Sequence, residues 1–108
     1  MQNNKLLTLL GFASKARKLS FGMDGSIYSI KNGFAKLGVV ASDISDKSKK
    51  EVKFFCDKNN VSFIEIDFKI EELSHAVGKK AGILSVNDKG FADSICRIYE
   101  GGNANDKI

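Results

Sequence analysis

Apolar residues recur at three- and four-residue spacing from the start of the chain. Leu6, Leu9, Leu10, Ala13 and Ala16 fall on one stripe, which predicts a helix over residues 4–19. Lys15, Arg17 and Lys18 lie in its last turn, where the helix dipole favours cations. Leu19-Ser20-Phe21 then reads as a short strand ending at Gly22. A second helix is expected over residues 24–32, with Ile27 and Ile30 inward and Gly33 as its stop. The unbroken apolar run Leu37-Gly38-Val39-Val40-Ala41 has the pattern of a strand covered on both faces. After the turn and capping residues of 42–46, a third helix is expected to about residue 59. It carries Val52, Phe55 and Cys56 inward and Lys49, Lys50, Lys53 and Lys58 outward.

The second half repeats this alternation. Residues 61–68 set Ile64, Ile66 and Phe68 against Glu65 and Asp67, a strand with one wetter face. A short helix over residues 70–77 stops at Gly78, and Ile83-Leu84-Ser85-Val86 reads as a fourth strand. Asn87-Asp88 caps a last helix to about residue 99, carrying Phe91, Ile95 and Ile98. Residues 1–100 are expected to form a single domain, and the Gly/Asn-rich residues 101–108 a flexible tail. Helices and strands that alternate through short connections predict an α/β fold. Its expected form is a three-layer α/β/α sandwich with a small four-stranded mixed sheet.

Composition narrows the class. The 108 residues are 43% apolar and 28% charged, a globular balance in a length that suits one domain. No apolar run approaches the roughly 18 residues of a membrane span, so a cytoplasmic protein with no membrane partner is expected. Two cysteines make neither a disulfide framework nor a metal set, and one histidine excludes a multi-histidine site. No metal and no cofactor are expected. Charge is more informative, with 17 basic groups against 13 acidic ones and a net of +4. Residues 1–40 hold Lys5, Lys15, Arg17, Lys18, Lys31 and Lys36 against the single acid Asp24. That asymmetry points to a polyanion, most simply nucleic acid.

Catalytic constellations are missing from the sequence. It contains no phosphate-binding Gly-x-x-x-x-Gly-Lys-[Ser/Thr] and no Gly-x-Ser-x-Gly elbow. His75 falls off the stripe of Ile70, Leu73 and Val77 and reads as a solvated side chain rather than a general base. Cys56 and Cys96, set among apolar neighbours, read as small buried hydrophobes. No catalytic residue is expected, and hence no enzyme. Two glycine-bounded segments stand out instead. Phe21-Gly22-Met23-Asp24-Gly25-Ser26 joins a strand to a helix start, where unpaired amides suit a phosphate or a base edge. Its structural alternative is an ordinary strand–helix turn with Asp24 as N-cap. Gly78-Lys79-Lys80-Ala81-Gly82 puts two lysines in a loop before the last strand. The face of Lys47, Lys49, Lys50, Lys53 and Lys58 reads as solvated.

Taken in order, these pieces look like one family. Leu9-Leu10-Gly11-Phe12-Ala13-Ser14-Lys15-Ala16-Arg17-Lys18-Leu19, then Gly22, then Ala35-Lys36-Leu37-Gly38-Val39-Val40-Ala41-Ser42-Asp43 resembles the kink-turn RNA-binding ribosomal protein family (the L-seven-Ae/L-thirty-e superfamily). The likeness is strongest to its small bacterial YlxQ-like branch. Leu73-Ser74-His75-Ala76-Val77-Gly78-Lys79-Lys80-Ala81 and Val86-Asn87-Asp88-Lys89-Gly90-Phe91-Ala92 extend it to residues 5–99.

The resemblance implies an α/β/α sandwich that binds RNA without catalysis. Family members dock the start of the second helix into a widened groove beside a sharp RNA bend, and the loop before the last strand packs against extruded nucleotides. The implied contacts are Gly22, Met23, Asp24, Gly25 and Tyr28, with Asn32 one turn further on. A second group is His75, Gly78, Lys79, Lys80, Ala81 and Gly82, with Lys15, Lys18, Lys31 and Lys36 as supporting cations. Implied partners are structured RNA (ribosomal or another kink-turn RNA) and the ribosome, engaged by a monomer.

The chain departs from the family at several of these positions. Strong RNA binders carry Asn-Glu where it has Asp24-Gly25, Lys where it has Tyr28, and Lys before Gly22 where it has Phe21. Ser74 stands where the family has glycine. These departures leave open an alternative, a protein-interaction module on the same fold, with Phe21 and Tyr28 as apolar anchors.

Overall fold

A computed structural model describes residues 4–105 of the chain. The first helix, α1 (Asn4–Lys15), buries Leu6, Leu10 and Ala13 along the predicted stripe. It ends before residue 19 because Arg17 adopts a left-handed backbone (φ 61°), and the Lys18 N–H turns back to the Ala13 carbonyl at 2.9 Å. Ala16 therefore leaves the stripe and is exposed. β1 (Leu19–Phe21) runs directly into α2 (Gly22–Lys31) with no residue between them. Gly22 has φ +81°, so a single residue without a Cβ turns the chain from extended to helical. The expected turn with Asp24 as N-cap is thereby corrected. Asp24 lies inside the first turn of α2, and Phe21 occupies the N-cap position.

β2 (Leu37–Val40) is buried on both faces, as its apolar run predicts. α3 (Asp46–Lys58) starts where the Ser45 hydroxyl accepts from the Ser48 N–H at 3.1 Å. β3 (Ser62–Glu65) is shorter than the alternating segment, though Ile66 continues it with an N–H donated to the Val40 carbonyl at 3.0 Å. α4 (Ile70–Val77) ends at Gly78 in the left-handed region, and β4 (Ile83–Val86) follows the loop. α5 (Lys89–Asn105) begins where the Asp88 carboxylate accepts from the Phe91 N–H at 2.8 Å. It runs past the expected end at residue 99, held to β3 by the Tyr99 hydroxyl, which donates to the Glu65 carbonyl at 3.1 Å. Residues 106–108 of the expected tail lie outside the described residues.

The sheet order is β1-β4-β2-β3, with β4 antiparallel to β1 and β2 and β2 parallel to β3. Leu37 and Val39 of β2 and Leu84 and Val86 of β4 share one face with Leu10, Leu73 and Ile95 from α1, α4 and α5. The other face packs Val40 and Ile83 against Ile30, Val52 and Cys56 from α2 and α3. This is the mixed, three-layer α/β/α sandwich the pattern predicts. Gly38 sets the spacing of the second layer, since a Cβ there would fall 2.6 Å from Cys56 Sγ. Burial pushes the Cys56 thiol up from 9.0 to about 11, whereas Cys96 is only half-buried, less than its apolar neighbours suggested. Lys49 also differs from its expected solvated role. Its ammonium donates to the Ser42 carbonyl and to Glu65 Oε2, both at 2.8 Å, and so ties α3 to the end of β3.

Candidate nucleic-acid interface

Strand register decides which connections meet. Phe21 lies opposite Leu84, and Val40 lies opposite Ile83, so the start of α2 and the loop over residues 78–82 emerge at the same end of the sheet. They touch there. Lys79 Nζ stands 4.9 Å from the centroid of the Phe21 ring, within cation–π range.

On the α2 side, Phe21 at the N-cap position has no side-chain acceptor, so the first-turn amides carry no side-chain cap. Asp24 is exposed in that turn, while Met23 packs into the core beneath α2 and α3. Nothing lies within 4 Å of where a Cβ on Gly25 would stand, so a side chain fits there. The opposite face of α2 turns small residues to the sheet. Ser29 and Ser20 hydroxyls meet at 2.7 Å, Asn87 Nδ2 donates to Ser20 Oγ at 2.9 Å, and Ser85 Oγ donates to Asn87 Oδ1 at 2.9 Å. This chain of polar groups joins α2 to β1 and β4 and fixes where the helix begins. Ser26 is fully buried, and its hydroxyl has no hydrogen-bond partner among the described residues.

The lysine loop is held at both ends. Ser74 Oγ accepts from the Ala81 N–H at 2.9 Å and donates to the Ala81 carbonyl at 3.2 Å. Ser14 Oγ donates to the Val77 carbonyl at 2.7 Å. Gly82 is closed in, since a Cβ there would lie 2.7 Å from Ile70 Cγ1 and 2.8 Å from Ile44 Cγ2, and its carbonyl accepts from the Ala41 N–H at 2.8 Å. Between these anchors Gly78, Lys79 and Lys80 are exposed, and Ala81 is buried. Among the described residues, neither lysine forms an ion pair.

The other positions divide. Asp24, Tyr28, Lys31 and Asn32 line a 480 Å³ groove between α2 and α3, with Glu51 and Phe55 opposite. Within it Asn32 is committed to its own helix, Nδ2 donating to the Tyr28 carbonyl at 2.8 Å. Lys18 and Lys36 sit at the far end of the sheet, where the Asn87 N–H donates to the Lys18 carbonyl and the Lys36 N–H to the Val86 carbonyl, both at 2.7 Å. His75 and Lys15 line a separate 500 Å³ groove between α1 and α4, with Phe12 and Glu72. That groove lies across the sheet from α2. Gly22, Met23, Asp24 and Gly25 are thus brought to Gly78, Lys79, Lys80, Ala81 and Gly82. Tyr28, Lys31 and Asn32 extend the site along α2, and His75, Lys15, Lys18 and Lys36 stand apart from it.

Residues 4–96 match the Ribosomal protein L7Ae/L30e/S12e/Gadd45 family. The chain belongs to this family. It is 34% identical over 97 residues to the RNA-binding protein YlxQ of Enterococcus faecium, spanning 90% of this chain and 93% of that one. To the RNA-binding protein YlxQ of Bacillus subtilis (strain 168) it is 31% identical over 101 residues, with 93% and 100% covered. Among solved structures, a protein with unknown function from Bacillus halodurans C superposes with a TM-score of 0.85 at 27% identity, covering 89% of this chain and 97% of that one. The Giardia lamblia 15.5kD RNA binding protein superposes with a TM-score of 0.73 at 17% identity, covering 95% and 88%, a likeness of fold.

Both the family and its YlxQ-like branch agree with the motif order read from the sequence, and the family is non-enzymatic. Membership leaves two structural residues to be found by the fold. Ser74, met in the sequence as a departure from glycine, is the clasp of the lysine loop. A hydroxyl in the last turn of a helix, ahead of a short loop, was the available signal. Phe21, met in the sequence as a departure from the lysine of strong RNA binders, provides the surface on which Lys79 rests.

Proposed function

We propose that the protein binds a structured RNA bent in the manner of a kink-turn, without catalysis, as a cytoplasmic monomer associated with the ribosome. One observation carries this reading. The uncapped start of α2 and the clasped Lys79-Lys80 loop form one surface, joined through the Lys79–Phe21 contact. The names of the relatives, both RNA-binding proteins, support RNA as the ligand. First-turn amides of α2 donate to phosphate or base-edge acceptors, and the two lysines neutralise phosphates crowded together by a bend. Recognition of this kind reads shape and unpaired nucleotides more than linear sequence. Asp24 accepts hydrogen bonds from base amino groups but repels phosphates, and Gly25 contributes no side chain. Affinity is therefore expected to fall below that of family members with Asn-Glu at these positions.

The test is a fluorescence titration against a kinked RNA and a straight duplex of equal length, at two salt concentrations. The expected result is preferential binding of the kinked RNA, with affinity falling steeply as salt rises. Joint Lys79→Ala and Lys80→Ala substitution is expected to weaken binding and to lower the salt slope by about one to two. Equal affinity for the two RNAs would overturn the shape-specific reading.

A further inference from the structure

Among the described residues, three of the four exposed large hydrophobic side chains lie on one face of the molecule. They are Tyr28, Phe34 and Phe54, at 63%, 55% and 58% exposure, while the fourth, Phe12, is on α1. Single exposed aromatics are ordinary on a protein surface, but here the rings are linked. Tyr28 and Phe34 stack at 6.4 Å, and Phe54 meets Phe55 edge-on at 5.2 Å. Phe55 and Tyr28 line the same groove between α2 and α3. Phe34 follows Gly33 in the turn after α2 and is anchored by its N–H, which donates to the Ser29 carbonyl at 2.9 Å.

Cations are interleaved with these rings. Lys31 Nζ is 5.0 Å from the Phe55 centroid, and Lys58 Nζ is 5.9 Å from that of Phe54. Beside Phe34 opens a 310 Å³ cleft, room for a nucleobase, lined by Lys31, Lys36, Asn59 and Asn60 among others. Acidic groups on this face are Asp24 and Glu51 in the groove and Asp57, which Lys53 already engages at 3.0 Å.

We infer that this aromatic band is a second nucleotide-binding surface, on which unpaired RNA nucleotides flanking the bent element stack. Exposed rings give base-stacking faces that every base can use, and interleaved lysines follow the backbone phosphates. In the cleft Asn60 offers its side-chain amide to base edges, whereas Asn59 Nδ2 already donates to the Phe55 carbonyl at 2.8 Å. Position favours RNA over a protein occupant, because Tyr28 and Asp24 make the band continuous with the start of α2 along one groove. The inference rests on the RNA-binding reading above and extends it from the bend to its flanks.

The test compares a blunt kinked RNA with the same RNA carrying a short unpaired extension. It uses the wild type and the variants Phe34→Ala and Phe54→Ala, whose side chains are mostly exposed and whose folding is checked by circular dichroism. The extension is expected to raise wild-type affinity about five- to a hundredfold, and each variant to lose much of that gain while binding the blunt RNA unchanged. If the extension adds nothing to wild-type binding, the inference is overturned and the bent-RNA reading stands. If no kinked RNA binds but a short single-stranded oligonucleotide does, with affinity lost in Phe54→Ala, the bent-RNA reading falls and the stacking surface remains. Failure of both RNAs, together with self-association abolished by Phe34→Ala, would overturn it in favour of a protein-docking face.

Discussion

Replacing Ser74 with alanine removes the clasp of the lysine loop and nothing else of comparable size. In the native protein its hydroxyl serves both backbone groups of Ala81, accepting from the N–H at 2.9 Å and donating to the carbonyl at 3.2 Å. Ala81 is 5% exposed, so water does not readily replace the lost partner. An orphaned buried N–H costs about 1–3 kcal/mol, and the longer bond to the carbonyl adds little. Alanine is the better helix former by roughly half a kcal/mol, which offsets part of the loss. The net destabilisation is about 1–2 kcal/mol. At about 4–8 °C per kcal/mol for a domain of this size, the midpoint should fall by roughly 5–15 °C. Thermal unfolding followed by circular dichroism measures this, with urea unfolding at 25 °C as the check. The Ala81 amide should also exchange with deuterium faster in the variant while amides of β2 and β4 stay protected. An unchanged midpoint together with an unchanged Ala81 exchange rate would refute the clasp.

Three other substitutions test the packing around α2 and α3. Ser26→Ala replaces a buried, unpartnered hydroxyl with a stronger helix former, and should raise stability by about 0.5–1.5 kcal/mol in urea unfolding; a loss of stability would mean that the hydroxyl has a partner. Gly38→Ala drives a methyl to within 2.6 Å of Cys56 Sγ and should cost about 1–3 kcal/mol, a loss partly recovered when Cys56→Ala is added; strict additivity in that double-mutant cycle would contradict the contact. The Cys56 thiol keeps its proton to about pH 11 in the folded chain, whereas in the unfolded chain it ionises near 9.0. Stability should therefore fall as pH rises from 9.0 through about 11, and urea midpoints in Cys56→Ala should fall less over that window.

Sequence patterning reaches far into this fold because its signals are local. Leu37 to Ala41 has no polar position at all, so only burial from both sides suits it, and Ser45 and Gly78 mark a helix start and a helix end by their own chemistry. The start of α2 resisted the same treatment. Nothing local tells a glycine that opens a turn from one that enters the helix itself, and Gly22 does the second with a φ of +81°. The candidate site was readable as two glycine-bounded segments, while their meeting depends on the pairing of β1 with β4, which sets Phe21 opposite Leu84 from far along the chain. For the same reason the sequence groups His75 and Lys15 with residues from which the fold places them apart. Motif order records succession along the chain, and the groove between α1 and α4 separates them from α2 in space.

The strand order has a consequence for the protein during its own synthesis. β4 is the last strand to leave the ribosome, and it lies between the first strand and the other two. Until residue 86 has emerged, β1 has no partner in the sheet and α2 lacks the strand that joins β1 to β2 beneath it. Insertion of β4 then closes the sheet and carries the loop of Lys79 and Lys80 to the start of α2 in the same event. A nascent or truncated chain does not have the two halves of the surface joined, so binding that needs both should appear only once β4 is in place. A chain ending at residue 80 should unfold without cooperativity in urea and bind the kinked RNA no better than a straight duplex.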